Sequence, residues 1–216
     1  MTRLTAERLA SYTYACAGNL DAAIALYDWN SGVGGALLED LGRIEIVLRN
    51  AFDATLLSHG KTVGWSHVWY DRHSLFPGRD GQRAIEDIAS AKRRALRGGT
   101  AVVHGSVISE LTFGFWRYLC TPAYLTSLWV PILASACPNH PAAGSPRQVR
   151  ADVEDSVQRL HFLCNRVAHH EPLHQRDLLR DHSSMTELIG WICPVSQQWF
   201  VKNSRSFATI STRPIP

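Results

Sequence analysis

Apolar positions recur every three or four residues through most of the chain, the spacing of amphipathic helices rather than strands. Residues 5–18 read as a short helix with Thr5 as N-cap. In residues 19–29, Leu20, Ile24 and Tyr27 share one face. The cluster NSGVGG at 30–35 reads as a turn or as a glycine-rich helix start. Residues 36–57 follow with Leu37, Leu41, Ile44, Leu48 and Phe52 on one stripe, a strong amphipathic helix. Residues 58–81 hold glycine, aromatics and histidine and read as loop with at most a short helix. Residues 82–96 are helical with a basic end, stopped by the glycine pair at 98–99.

Residues 107–119 (VISELTFGFWRYL) are short, apolar and aromatic, so helix and strand compete; their helical setting favours a buried helix. Residues 124–136 are a further apolar stretch broken by Pro131, and 137–146 are loop. Residues 147 to about 170 form the clearest helix. Val149, Val153, Val157, Leu160, Cys164 and Val167 fall in a stripe about 80° wide. Pro172 ends it, because the residue before a proline is pushed out of α geometry. A last helix runs from 177 or 183 to 200, interrupted near Pro194. The pattern predicts an all-α fold in one domain over 1–202, with a flexible C-terminal tail at 203–216 that lacks periodicity and frays. No repeat, low-complexity segment or interdomain linker interrupts it.

Composition supports a globular chain: 216 residues, 45% hydrophobic and 19% charged. No apolar run approaches the length of about 18 residues that a membrane helix needs. Arg3, Glu7 and Arg8 interrupt the N-terminal segment, so a signal peptide is not expected and the cytoplasm is the expected location. The net charge of +3 comes from 19 Arg and only 3 Lys. Arginine suits phosphate and base stacking, although codon bias gives the same skew. Five cysteines, at 16, 120, 137, 164 and 193, form no CxxC pair, which argues against a disulfide framework or zinc knuckle.

Polar chemistry concentrates in CNRVAHHEP at 164–172, at the end of the best helix. Histidine titrates in the range that suits acid–base work near neutral pH. An adjacent arginine can hold a phosphate or its developing charge. Arg166 with His169 and His170 therefore fits metal-independent RNA cleavage, in which the RNA supplies its own 2′-OH nucleophile. The same residues also serve as plain C-terminal caps facing solvent. His169 and His170 point about 100° apart, so a shared metal is not expected. A second polar patch, Glu45, Arg49 and Asn50, lies on an otherwise apolar helix, and Glu45 and Arg49 are one turn apart. A buried ion pair is the structural reading of that patch. Trp65, Trp69 and Tyr70 read as core for at least two of the three, against RNA stacking. Phe113, Phe115 and Trp116 read as packing, and Lys92, Arg93, Arg94 and Arg97 as a solvated helix end.

The stretch NRVAHHEP resembles the Arg-x4–6-His motif of the HEPN superfamily. Several blocks in order resemble its Abi-like abortive-infection proteins: LTAERLASY near the start, ALYDWNSGVGGALLEDLGRIEIVLRNAFDATL at 25–56, VISELTFGFWRYL at 107–119 with Trp129 after it, and NRVAHHEPL at 165–173. The resemblance spans roughly 4–175. One position departs: Cys164 stands where the first motif arginine belongs. Arg166 is only three residues before His169, and Arg49 is a candidate substitute.

The resemblance implies a HEPN-like helical bundle with additional helices, usually a homodimer whose motif segments meet in a shared cleft. It implies a metal-independent endoribonuclease without cofactor, acting on RNA in phage defence as a toxin held in check by an antitoxin, protein or small RNA. His169 is then the general acid or base, Arg166 with Arg49 holds the phosphate, Asn165 orients the groups, His170 assists and Glu171 orients a histidine. Products would end in 2′,3′-cyclic phosphate. It places the Glu45–Asn50 patch in the motif cleft. Cys164 leaves a second reading: a catalytically impaired protein that binds RNA or a partner without cutting.

Overall fold

The structure is a computed structural model that describes residues 4–97 and 103–214. All regular structure among the described residues is helical. Helix α1 spans Ala6–Ala15, α2 Leu20–Thr62, α3 Gly78–Leu96, α4 His104–Glu110 and α5 Phe113–Leu119. Helix α6 spans Pro146–Ala168, α7 Leu178–Ile192, α8 Pro194–Asn203 and α9 Ser206–Ser211. Short 3-10 and π turns fill the segments around Trp69 and across 122–136. Among the described residues, no helix is long and apolar enough to cross a membrane.

The 43-residue helix α2 is the axis of the molecule, and α1, α5, α6, α7, α8 and α9 pack on it. Asn19 caps its start, accepting from the Ala22 amide at 3.1 Å. The helix runs straight through the glycine cluster at 30–35, so the two helices expected on either side are one. Glycine costs about 1 kcal/mol relative to alanine inside a helix. The buried Leu26, Trp29, Val33 and Leu37 flank the cluster and hold it helical by packing. The end of α6 packs over this stretch: a Cβ at Gly34 would meet Val167 and Leu173 at ordinary contact distance, 3.9 and 3.8 Å.

The FGFW block is split into α4 and α5 rather than one helix. Leu111 is extended (ψ 122°), and Thr112 restarts the chain as N-cap. Phe113, Phe115 and Trp116 are buried, as are Trp69 and Tyr70 from the segment before α3. Helix α3 starts four residues earlier than the expected 82, and the glycine pair at 98–99 lies outside the described residues.

Helix α6 matches its stripe. Val149, Val153, Val157, Leu160 and Val167 are buried; Cys164 is half-buried, and Leu163 fills the core beside it. The tail departs from its expected fraying. Ser206–Ser211 form α9 against α2 and α7. The Trp29 indole N–H donates to the Thr209 carbonyl at 2.9 Å. Ser204 Oγ donates at 2.6 Å to the fully buried Asp40, which also pairs with Arg43 at 2.7 Å.

Candidate functional site

The polar end of α6 is a Schellman turn. The His170 amide donates to the Val167 carbonyl at 3.0 Å, and the Glu171 amide to the Arg166 carbonyl at 2.8 Å. His169 is the C-cap residue, and His170 sits in the left-handed region at φ +54°. Glycine is the residue that adopts this conformation freely, so histidine here carries backbone strain. The chain then turns away, and the Leu173 amide donates to Asn30 Oδ1 of α2 at 2.6 Å. That bond is buried and fixes the turn against the glycine stretch of α2.

His169, His170 and Glu171 are exposed and line an open cleft of about 650 Å³ over Gly34, Gly35 and Leu38. Arg8 of α1 closes its far side. Its guanidinium donates to the His170 carbonyl and lies 5.8 Å from the Tyr27 ring centre. Two histidines and an arginine thus face one solvent-open space at a helix C-terminus.

Arg166 is committed to the same turn. Its Nη2 donates to the Pro172 carbonyl at 2.7 Å, and its Nη1 lies 3.4 Å from Glu171 Oε2. Glu171 therefore pairs with the arginine.

The other expected residues lie in a different place. Glu45, Cys164 and Asn165 line a second cleft of about 750 Å³, with His161, Arg83 and Tyr118. The expectation of one shared cleft is corrected here: Asn165 and Glu45 are together, while His169, His170 and Glu171 face the first cleft. The two groups have different neighbours: Cys164 and Asn165 lie beside Phe113–Tyr118 of α5, whereas His169 and His170, past the last turn of the helix, lie beside Arg8 of α1 and the glycine stretch of α2.

This second cleft disfavours charge. Burial pushes the Glu45 carboxyl above the usual carboxylate range, with Arg49 and the Phe113 backbone pulling it partly back. Burial pushes the Cys164 thiol up, and Glu45 adds to the rise. Burial and then Arg117 hold the His161 ring below its ordinary value. Arg49 is half-buried and its Nε lacks a hydrogen-bond partner among the described residues, so it is no closed ion pair for Glu45. Asn50 is exposed on α2. A neutral thiol thus stands beside Glu45, where an arginine would balance its charge.

Sequence reasoning missed Arg8 and His161. Arg8 is 162 residues from its partner, and no local spacing signals that contact. His161 is three residues before Cys164 on the same helix face, a spacing that would have exposed it. His104 and His174 are used elsewhere: His104 bonds Asp53 at 2.9 Å, and His174 meets Ser11 Oγ at 3.3 Å. Lys92 pairs with Asp71 and Arg94 with Glu110, so the basic run is partly neutralised.

No group of three or more His, Cys, Asp or Glu side chains able to hold a metal ion occurs among the described residues. All five cysteines are free. The chain matches none of the family models, curated proteins or solved structures with which it was compared.

Proposed function

We propose that this chain is a metal-independent endoribonuclease of the HEPN type, acting as an abortive-infection toxin in phage defence. The observation that supports it is the exposed His169–His170 pair beside Arg8 in an open cleft at the α6 C-terminus. A histidine there can take the proton of a 2′-OH and return one to the leaving 5′-oxygen. Arg8, which donates to the His170 carbonyl and lines this cleft, is the cation that would hold a scissile phosphate there. Asn165 and Glu45 act from the second cleft, and Arg49 and Asn50 from the same helix as Glu45 beyond the cleft lining, on the flanking substrate or the partner copy of a homodimer. An antitoxin, protein or small RNA, would cover this end of the molecule.

A second reading has its own support. Arg166 is bound back onto Pro172 and Glu171, and Cys164 replaces the motif arginine beside Glu45. Those features favour a protein that binds RNA or a partner without cutting it.

The test is a paired assay of purified protein on total RNA: cleavage by gel, and retention against salt concentration. Cleavage supports the first reading. Salt-steep retention without cleavage supports the second, because phosphate contacts release counterions as they form. The absence of both cleavage and retention defeats the first reading and the RNA-binding form of the second.

A further inference from the structure

The groove between α6 and α7 has no part in the chemistry above. At one end Asp181 is fully buried, and both its oxygens are taken. Arg176 donates to them through Nε at 2.5 Å and Nη2 at 2.8 Å. Arg159 Nη1 adds a third bond at 3.1 Å. One carboxylate therefore holds two guanidiniums in fixed orientation; Asp155, exposed one turn earlier on α6, lines the same wall, so the net positive charge at this end comes from Arg180. The Arg159 and Arg176 side chains still reach solvent, at 30% and 22% exposure, and Arg180 stands on the rim beside them.

The other end has the opposite sign. Helices α6 and α7 run antiparallel here, since Arg159 meets the start of α7 while Asp152 lies at its finish. His140 lies between Asp152 and Trp191. Its buried ring is 4.5 Å from the indole centre, and its Nδ1 accepts the Ala142 amide at 3.0 Å. Its Nε2 lies 3.3 Å from Asp152 Oδ2 but makes no hydrogen bond among the described residues. Glu187, exposed, lines the same stretch with Trp191. From Asp152 to Arg159 the helix rises roughly 10 Å. The groove holds about 730 Å³, a size that accommodates a small ligand.

We propose that this groove is a nucleotide subsite, with phosphate on Arg159, Arg176 and Arg180 and a base bearing an exocyclic amine against Trp191, Asp152 and Glu187. Guanidinium forks match phosphate oxygens. Carboxylates accept from the amines of adenine, cytosine or guanine, and an indole face packs on any base. Uracil has no such amine and is the poorest fit. The nucleotide is either free or one residue of an RNA chain, and the free case stands whether or not this chain cuts RNA.

Titration calorimetry of the full chain with AMP, CMP, GMP, UMP and adenosine tests this directly. The amine-bearing monophosphates bind, and UMP and adenosine bind about tenfold more weakly. Arg180→Ala lowers AMP affinity about tenfold, and Glu187→Gln shrinks the gap between AMP and UMP. Both positions are exposed, so both variants keep the fold. A labelled oligoadenylate that loses affinity in Arg180→Ala in parallel with AMP places the groove on an RNA path; loss for AMP alone assigns it to free nucleotide. No binding of any monophosphate, or binding unmoved by Arg180→Ala, overturns the proposal. This readout involves no cleavage step, so failure of the ribonuclease reading is seen separately.

Discussion

Arg166 Nη2 donates to the Pro172 carbonyl at 2.7 Å, so the arginine of the CNRVAHHEP segment is bound to its own turn. The proposed cleavage at this end therefore rests on the histidines more than on Arg166. Arg166→Ala is expected to loosen the turn and weaken RNA retention a fewfold, whereas His169→Ala removes the acid–base group. Parallel cleavage rates of the two variants check the order; Arg166→Ala being the more damaging would reverse it.

The position of Cys164 gives a gain-of-function prediction. Cys164→Arg puts a guanidinium beside the half-buried Glu45, in place of a thiol held neutral by burial. The new charge pulls the Glu45 carboxyl back down and supplies a phosphate contact in the second cleft. RNA cleavage, or growth arrest on expression, is expected to rise at least about tenfold, the scale of one good charge-assisted contact. An unchanged rate would separate this cleft from the chemistry.

His170 sets backbone strain against function. At φ +54°, His170→Gly removes left-handed strain of about 1 kcal/mol, partly offset by the extra freedom of an unfolded glycine chain. His170→Val adds about 1–2 kcal/mol of strain at the same place. Urea unfolding is expected to rank Gly at or above the native chain and Val below it. A loss of activity common to both variants, despite opposite stabilities, would show a chemical role for the imidazole.

Acid should destabilise the fold through buried histidines. Burial holds His161, His174 and His182 below the ordinary histidine value of 6.5, with Arg117 and Arg213 adding to the first two and Asp40 opposing in the third. The unfolded chain thus binds more protons than the native one. The stabilisation is complete above about pH 6.5 and is lost as pH falls through the folded values. Melting temperature is expected to drop between pH 7.5 and 5. A His182→Gln variant should show a shallower drop.

The buried Asp181 is a stability element as well as the group that orients Arg159 and Arg176. Asp181→Ala leaves Arg159 and Arg176 without their carboxylate. The expected cost is about 2–3 kcal/mol, below that for a fully buried pair because both guanidiniums reach solvent. Chemical denaturation measures it.

Much of this architecture was legible in the sequence. The α6 stripe and Pro172 located the longest reliable helix and its end, and the apolar spacing of 36–57 located half of α2. The glycine cluster hid the continuity of α2, because propensity lost to the packing of Trp29, Val33 and Leu37. The split at Thr112 turned on one capping side chain. Helix α9 is too short to show periodicity, and its order comes from Trp29 and Asp40, far away in sequence. In the candidate site, the residue types of the HHEP segment were readable. Their division between two clefts was not, because it follows from the tertiary neighbours of each group, α5 beside Asn165 and α1 with the glycine stretch of α2 beside His169.

The central claim is that His169 cuts RNA without a metal. The direct measurement is cleavage of synthetic and total RNA in EDTA by the native chain beside His169→Ala. The account predicts cleavage that persists in EDTA, leaves 2′,3′-cyclic phosphate ends and vanishes in the variant. Cleavage abolished by EDTA, or undiminished in His169→Ala, would contradict it.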